Sequence, residues 1–213
     1  VTGTAMVPGS RSEVRPARTT DPAEVDRLYD VCLRTGADGE DASALVDDQR
    51  LLGELYLGAY LVLEPDLAFV LDDGAGAVGY VVGTSDTAAF DDLLDARWWP
   101  ALQARYPLSV LDALDPDSMD ARLVRLVHTP GRTESHVIQQ FPAHLHVDVL
   151  PAGQGGGNGR RLLERFFAAL RERDVPGVHL GVSPENRQAI GFYEHLGFER
   201  VPGTEGVVLG LTL

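Results

Sequence analysis

An α/β fold built on a mixed β-sheet is predicted for this sequence by three observations. Short runs of alternating or β-branched residues recur at 67–71, 78–84, 144–149, 178–182 and 207–213. The first two are joined by Asp72-Asp73-Gly74-Ala75-Gly76, a hairpin turn that makes them antiparallel neighbours. The later runs alternate with segments of helical period, which lays helices against the sheet.

From the N-terminus, residues 1–12 lack periodicity and read as a flexible arm, and residues 14–17 as a short strand. Asp21 and Pro22 form a helix entry, an N-cap followed by a proline whose missing N–H costs nothing there. Val25, Leu28, Val31 and Cys32 mark the buried face of that helix to about Arg34. A glycine- and aspartate-rich loop over 36–41 precedes a second helix over 51–60. After the hairpin, residues 86–143 form a mostly helical insertion. Phe90, Leu93, Leu94, Trp98 and Leu102 predict one helix, and residues 119–127 another.

The strand over 144–149 sets His144, His146 and Asp148 on one side and Leu145, Val147 and Val149 on the other. Pro151 ends it, since proline has no N–H for a ladder. Gln154, Gly155, Gly156, Gly157, Asn158 and Gly159 follow, and then Leu162, Leu163, Phe166, Phe167 and Leu170 at helical spacing. Downstream lie a strand over 178–182, a cap at residues 183–186, a short helix over 187–196 stopped by Gly197, and strands over 198–201 and 207–213.

Composition narrows the function. The 213 residues suffice for one domain, expected over 13–213, with 86–143 as its insertion and 144–201 as its ligand-binding core. The single cysteine, Cys32, allows no internal disulfide and makes a cysteine metal site implausible, so no metal is expected. All 18 basic residues are arginine, which excludes the phosphate-loop lysine and Schiff-base chemistry. A net charge of −14 argues against nucleic-acid binding. No apolar run reaches spanning length and no signal-peptide pattern opens the chain, so a cytoplasmic protein without membrane partners is expected. Residues 21–120 carry most of the negative charge and would attract a cationic partner, or serve only as solvated surface.

A strand feeding a helix through a glycine loop is an anion cradle. A Walker loop needs lysine, and no start within 153–157 places glycines at the dinucleotide spacing G-x-G-x-x-G. The spacing present is Q-x-x-G-x-G, at Gln154, Gly157 and Gly159. Together with NRQAIGFYEHLGF, from Asn186 to Phe198, it resembles the two signatures of the GNAT superfamily of acetyl-CoA-dependent N-acetyltransferases.

That resemblance implies a set of roles. The fourth strand splays from the fifth, and the backbone of Val147 and Val149 pairs with the pantetheine of acetyl-CoA. The amides of Gly155, Gly157 and Gly159, with Arg160 and the motif's Gln154, hold the pyrophosphate. Asn186 matches a position that contacts the pantetheine arm, and Tyr193 matches the tyrosine that protonates the departing thiolate. The glutamate that some members carry five residues before the asparagine is Gly181 here. The base is then sought in His146 and Asp148, unless the amine arrives neutral or Asp148 merely caps backbone amides.

The segments 79–90, Trp98-Trp99-Pro100, Arg105-Tyr106, Phe141-Pro142, 147–149 and 205–210 are similar to the acetyltransferase-like C-terminal domain of eukaryotic O-GlcNAcases. That domain is regarded as a pseudo-acetyltransferase without a competent cofactor loop. This chain departs from it by keeping Gln154, Gly157 and Gly159, which favours acetyl-CoA binding. On the acceptor side, Trp98 or Trp99 would line a pocket, Trp98 being the one named, and Asp86 would hold an ammonium. The expected activity is acetyl transfer to a small-molecule or peptide amine by a monomer or homodimer. The second reading is a pseudo-enzyme that binds acetyl-CoA or a peptide without catalysis.

Overall fold

The computed structural model describes residues 12–213. The arm expected over 1–12 thus lies, apart from Ser12, outside the described residues. The strands are β1 (Glu13–Pro16), β2 (Phe69–Asp72), β3 (Ala77–Thr84), β4 (Ala143–Val149), β5 (Gly177–Val182), β6 (Glu199–Arg200) and β7 (Val207–Thr212). They form one sheet in the order β1-β2-β3-β4-β5-β7-β6. Only β4 and β5 run parallel; the other neighbours are antiparallel, so the sheet is mixed as expected.

Local signals set most helix ends. Asp21 caps α1 (Pro22–Leu33) by accepting from the Ala23 N–H. The helix expected over 51–60 is two, α2 (Leu51–Tyr56) and α3 (Gly58–Leu63), broken at Leu57. Gly58, just past the break, lies against Tyr29 and Trp98; a β-carbon on it would stand 3.0 Å from the indole. The insertion holds α4 (Thr87–Arg97), α5 (Trp99–Arg105), α6 (Met119–His128) and α7 (Ser135–Gln140). The single helix expected through Leu102 is thus interrupted at Trp98, because Pro100 cannot continue the hydrogen-bond ladder of α4. After β4 come α8 (Asn158–Arg171) and, after β5, α9 (Arg187–His195). Gly197 beyond α9 has φ 94°, a left-handed stop.

Period-two alternation divides the interior between two faces. Val70, Tyr80 and Val82 face α1–α6 and pack with Leu28, Leu57, Phe90 and Val124. Phe69, Leu71 and Val81 face α8 and pack with Leu162, Phe166 and Leu170. Cross-strand register enforces this, pairing Phe69 with Val81 and Val70 with Tyr80. Burying one such leucine or phenylalanine stabilises the fold by roughly 1.5–3 kcal/mol. Gly83 admits the ring of Phe166 onto β3; a β-carbon would stand 2.6 Å from that ring.

Candidate functional site

The sheet comes apart at its middle. β4 pairs with β3 along its length, from Thr84 opposite His144 to Gly79 opposite Val149. With β5 it pairs only at Ala143 with Val178 and His144 with His179. β5 itself stays paired with β7 as far as Val182. The parallel ladder therefore opens beyond His144. The Leu150 N–H reaches Val78 O at 2.9 Å, and alternation then turns the backbone groups of Val147 and Val149 away from β3, into the opening.

Two cavities meet there. The first, of about 620 Å³, reaches from Asn186 and Tyr193 to Gln154, Gly155 and Gly159. The second, of about 450 Å³, is walled by the insertion, with Asp91, Trp99 and Arg132 among its lining, and by His144 and His179. Tyr56, Leu145, His146, Leu180 and Gly181 line both.

At the far end of the first cavity, Gly155, Gly156 and Gly157 have φ of 81°, 58° and 77°. These left-handed values suit glycine and strain any other residue. Among the described residues, no hydrogen bond uses the amides of Gly155, Gly156, Gly157, Gly159 or Arg160. These donors cluster at the positive end of the α8 dipole, where an anion is stabilised. Gly159 has a further reason to lack a side chain, since a β-carbon would come within 3.1 Å of the Phe192 ring. The Gln154 side chain donates to Val149 O at 3.0 Å and ties the loop to the end of β4. Arg160 is exposed and loosely paired with Glu164 at 3.9 Å.

Nearer the junction, the expected candidates differ in what they touch. His146 stands edge-on to Tyr56 and Tyr60, and among the described residues its ring nitrogens have no hydrogen-bond partner. Burial, with His179 nearby, lowers its pKa to about 4, so it is a neutral imidazole at physiological pH. His144 is different: Tyr60 Oη lies 2.7 Å from its Nε2 and Thr87 Oγ1 lies 2.8 Å from its Nδ1, so both nitrogens are occupied. Asp148 lines only the first cavity and accepts from the Tyr80 hydroxyl at 2.5 Å. Burial raises its pKa, against the pull of that hydrogen bond. No hydrogen bond joins Asp148 to His146. Tyr193 is buried in the first cavity's wall, its hydroxyl without a partner among the described residues. Burial pushes its pKa up, which keeps the hydroxyl protonated. Asn186 caps α9, accepting from Ala189 N–H at 3.0 Å, and donates to Asp38 O at 3.0 Å.

This geometry has relatives. The crystal structure of SsHAT superposes with a TM-score of 0.83, at 42% identity over 94% of this chain and 98% of that one. The sequence profile of the acetyltransferase (GNAT) family matches residues 128–198. The chain belongs to the GNAT acetyltransferase family. Protein O-GlcNAcase of Rattus norvegicus is 24% identical over 212 residues, covering 95% of this chain. The chain spans 22% of that relative's length. The yncA protein of Salmonella typhimurium, solved with its cofactor acetyl-CoA, shares the fold with a TM-score of 0.51 at 18% identity, over 96% of this chain and 95% of that one.

Two residues expected to meet the acceptor, Asp86 and Trp98, line neither cavity of this GNAT chain. Asp86 is exposed, lines neither cavity, and caps α4 by accepting from Ala89 N–H at 3.1 Å. Trp98 also lines neither cavity; its indole donates to Glu54 O at 2.9 Å and packs the insertion against α2 and α3. Its neighbour Trp99 lines the second cavity instead. Sequence reasoning did not single out Tyr56, Tyr60 or His179 and gave Tyr80 no partner. The pairing of Tyr80 with Asp148 follows from their opposition in the β3–β4 register, which no local pattern announces. Among the described residues no cluster of His, Cys, Asp and Glu is placed to hold a metal, and no helix is long and apolar enough to cross a membrane.

Proposed function

We propose that this chain, acting as one GNAT domain over 13–213, moves an acetyl group from acetyl-CoA to a primary amine by direct attack in a ternary complex. The observation that carries this reading is the opened β4–β5 ladder. It joins a cavity ending in free glycine-loop amides to a second cavity, with an unpartnered imidazole at the junction.

Acetyl-CoA supplies an activated thioester carbonyl and a thiolate leaving group. The loop fits its pyrophosphate, since the donors at Gly155, Gly157, Gly159 and Arg160 are unspent. The Val147 and Val149 backbone, turned into the opening, would pair with the pantetheine arm, and an amide of one of them would hold the thioester oxygen. Gln154 and Asn186 act by position: one holds the loop to β4, the other holds α9 to the segment after α1. His146 takes the proton that the amine must lose, directly or through water, and its neutral state suits it to accept. The amine nitrogen then bonds to the acetyl carbon as the carbon–sulfur bond breaks. Tyr193 gives its proton to the departing sulfur and regains one from solvent. Asp148, held by Tyr80, contributes negative potential that favours the cationic side of this exchange.

Calorimetry with acetyl-CoA and thiol release with an amine panel test this reading on wild type and Tyr193→Phe. The expected result is tight binding by both, with transfer lowered by about 100-fold in the variant. Binding without thiol release above hydrolysis would make the chain a pseudo-enzyme. No binding at all would remove the glycine loop from its role.

A further inference from the structure

We propose that the turn over 37–40 is a clasp across the first cavity, held shut by Asn186, and that it parts for acetyl-CoA to enter or leave. The inference rests on the cofactor reading above and adds to it a control on exchange.

Local geometry builds the turn. Ala37 and Glu40 exchange backbone hydrogen bonds of 3.0 Å in both directions, and between them Asp38 and Gly39 have φ of 54° and 98°. Left-handed residues in succession, with Asp before Gly, make the tight turn of a two-residue hairpin. Its feet are anchored, since Thr35 and Ala42 are buried, while Asp38, Gly39 and Glu40 at its tip are exposed. A turn that holds its own shape swings as a unit about such feet.

The tip reaches across the cavity. Asp38 and Gly39 line it beyond the end of α1, and Asn186 lines it at the start of α9. The Asn186 Nδ2–H donates to Asp38 O at 3.0 Å while its Oδ1 accepts from Ala189 N–H, so both ends of the amide are occupied. Among the described residues this is the one hydrogen bond between the 35–41 segment and either β5 or α9. β4 and β5 diverge beyond His144, so they do not hold the two sides together there. The bond from Asn186 closes a ring through α1, β4, β5 and α9.

Magnitude decides how such a clasp acts. The bond is exposed and joins neutral groups, which makes it worth about fivefold in an equilibrium. That keeps the ring shut most of the time and still lets it open thermally. Parting one such bond is a smaller obstacle than drawing a pantetheine arm lengthwise through a closed ring. A clasp that closes equally over an empty and a filled cavity scales entry and exit together and leaves affinity unchanged.

Stopped flow on the full chain, with acetyl-CoA carrying a fluorophore on its adenine and unlabelled acetyl-CoA as the chase, reads both rate constants. Asn186→Ser keeps an oxygen to cap α9 but is too short to reach Asp38 O. Gly39→Ala meets no atom closer than Asn186 Nδ2, at 3.9 Å, so it acts through backbone strain at φ 98° and not through a clash. Each variant is expected to raise association and dissociation alike by about fivefold and to leave Kd within about twofold. The inference is overturned if Gly39→Ala exchanges acetyl-CoA at the wild-type rates. It is equally overturned if Asn186→Ser raises dissociation alone, so that Kd weakens in proportion, because Asn186 would then hold the ligand and not the turn. Both of those results leave acetyl-CoA binding in wild type intact, whereas its absence would instead sink the function proposed above, and the inference with it.

Discussion

His146 and Gly181 lie two residues beyond His144 and His179, the last paired positions of β4 and β5, and each lines both cavities. Carrying the parallel register forward sets them across the open ladder from one another. An imidazole with free nitrogens thus stands beside the space left by a missing side chain. In the proposed chemistry this relationship replaces a carboxylate on β5.

His146→Gln keeps the shape and polarity of the junction but removes the proton acceptor. Transfer should fall by about 100- to 1,000-fold, with acetyl-CoA affinity nearly unchanged. Steady-state kinetics alongside calorimetry separates the two effects. A variant as fast as wild type would move the base away from His146.

Gly157→Ala places a side chain at φ 77°, the left-handed N-cap of α8. The strain should cost about 1–2 kcal/mol of stability, and the disturbed amides should weaken acetyl-CoA binding as well. Urea denaturation reads the first and calorimetry the second. Stability loss with intact affinity would mean the loop does not hold the cofactor's phosphates.

The buried histidines make stability depend on pH. His146 is lowered from 6.5 to about 4, first by burial, and His144 and His179 are also depressed. The unfolded chain takes up these protons near pH 6.5, before the folded chain can. Stability is therefore full above that pH and is lost as pH falls toward 4, by up to about 3 kcal/mol for His146 alone. Asp148, whose pKa is raised, offsets part of this at the acid end, because the folded chain holds its proton more strongly there. The urea midpoint should drop between pH 7 and 5, and less so in His146→Gln. A flat midpoint would mean that the imidazoles are hydrated.

Asp86→Ala removes a helix cap and touches neither cavity. Thermal unfolding should show a loss of about 1 kcal/mol, while transfer to any amine stays within about twofold. A selective rise in KM for the amine would return Asp86 to the acceptor site.

Much of this protein was legible in its sequence because short-range physics governs it. Asp21 and Asn186 cap helices, Gly197 ends one, and the hairpin over 67–84 follows from its turn residues. The spacing of Gln154, Gly157 and Gly159, followed by Asn186 and Tyr193, pointed to the GNAT family because each sits on an element that local signals define. Helix continuity was less legible: the chain breaks at Leu57, beside the close contacts of Gly58, and at Trp98, two residues before Pro100.

The surroundings of Asp86 and of the two tryptophans were beyond local reach. A short acid between a strand and a helix can bind a cation or cap the helix, and only the folded chain shows that Asp86 accepts from Ala89 N–H. Of two adjacent tryptophans at the break between α4 and α5, one donates to Glu54 O and the other lines the second cavity. The sequence by itself determined the sheet, the glycine loop and the acetyltransferase family, since caps, turns and periodicity act within a few residues. Only the tertiary structure decided that His144 is satisfied while His146 is free, and that Gly181 opens onto a second cavity. Those outcomes depend on register between β4 and β5 and on an insertion packed against them from far along the chain, contacts whose partners no local pattern names.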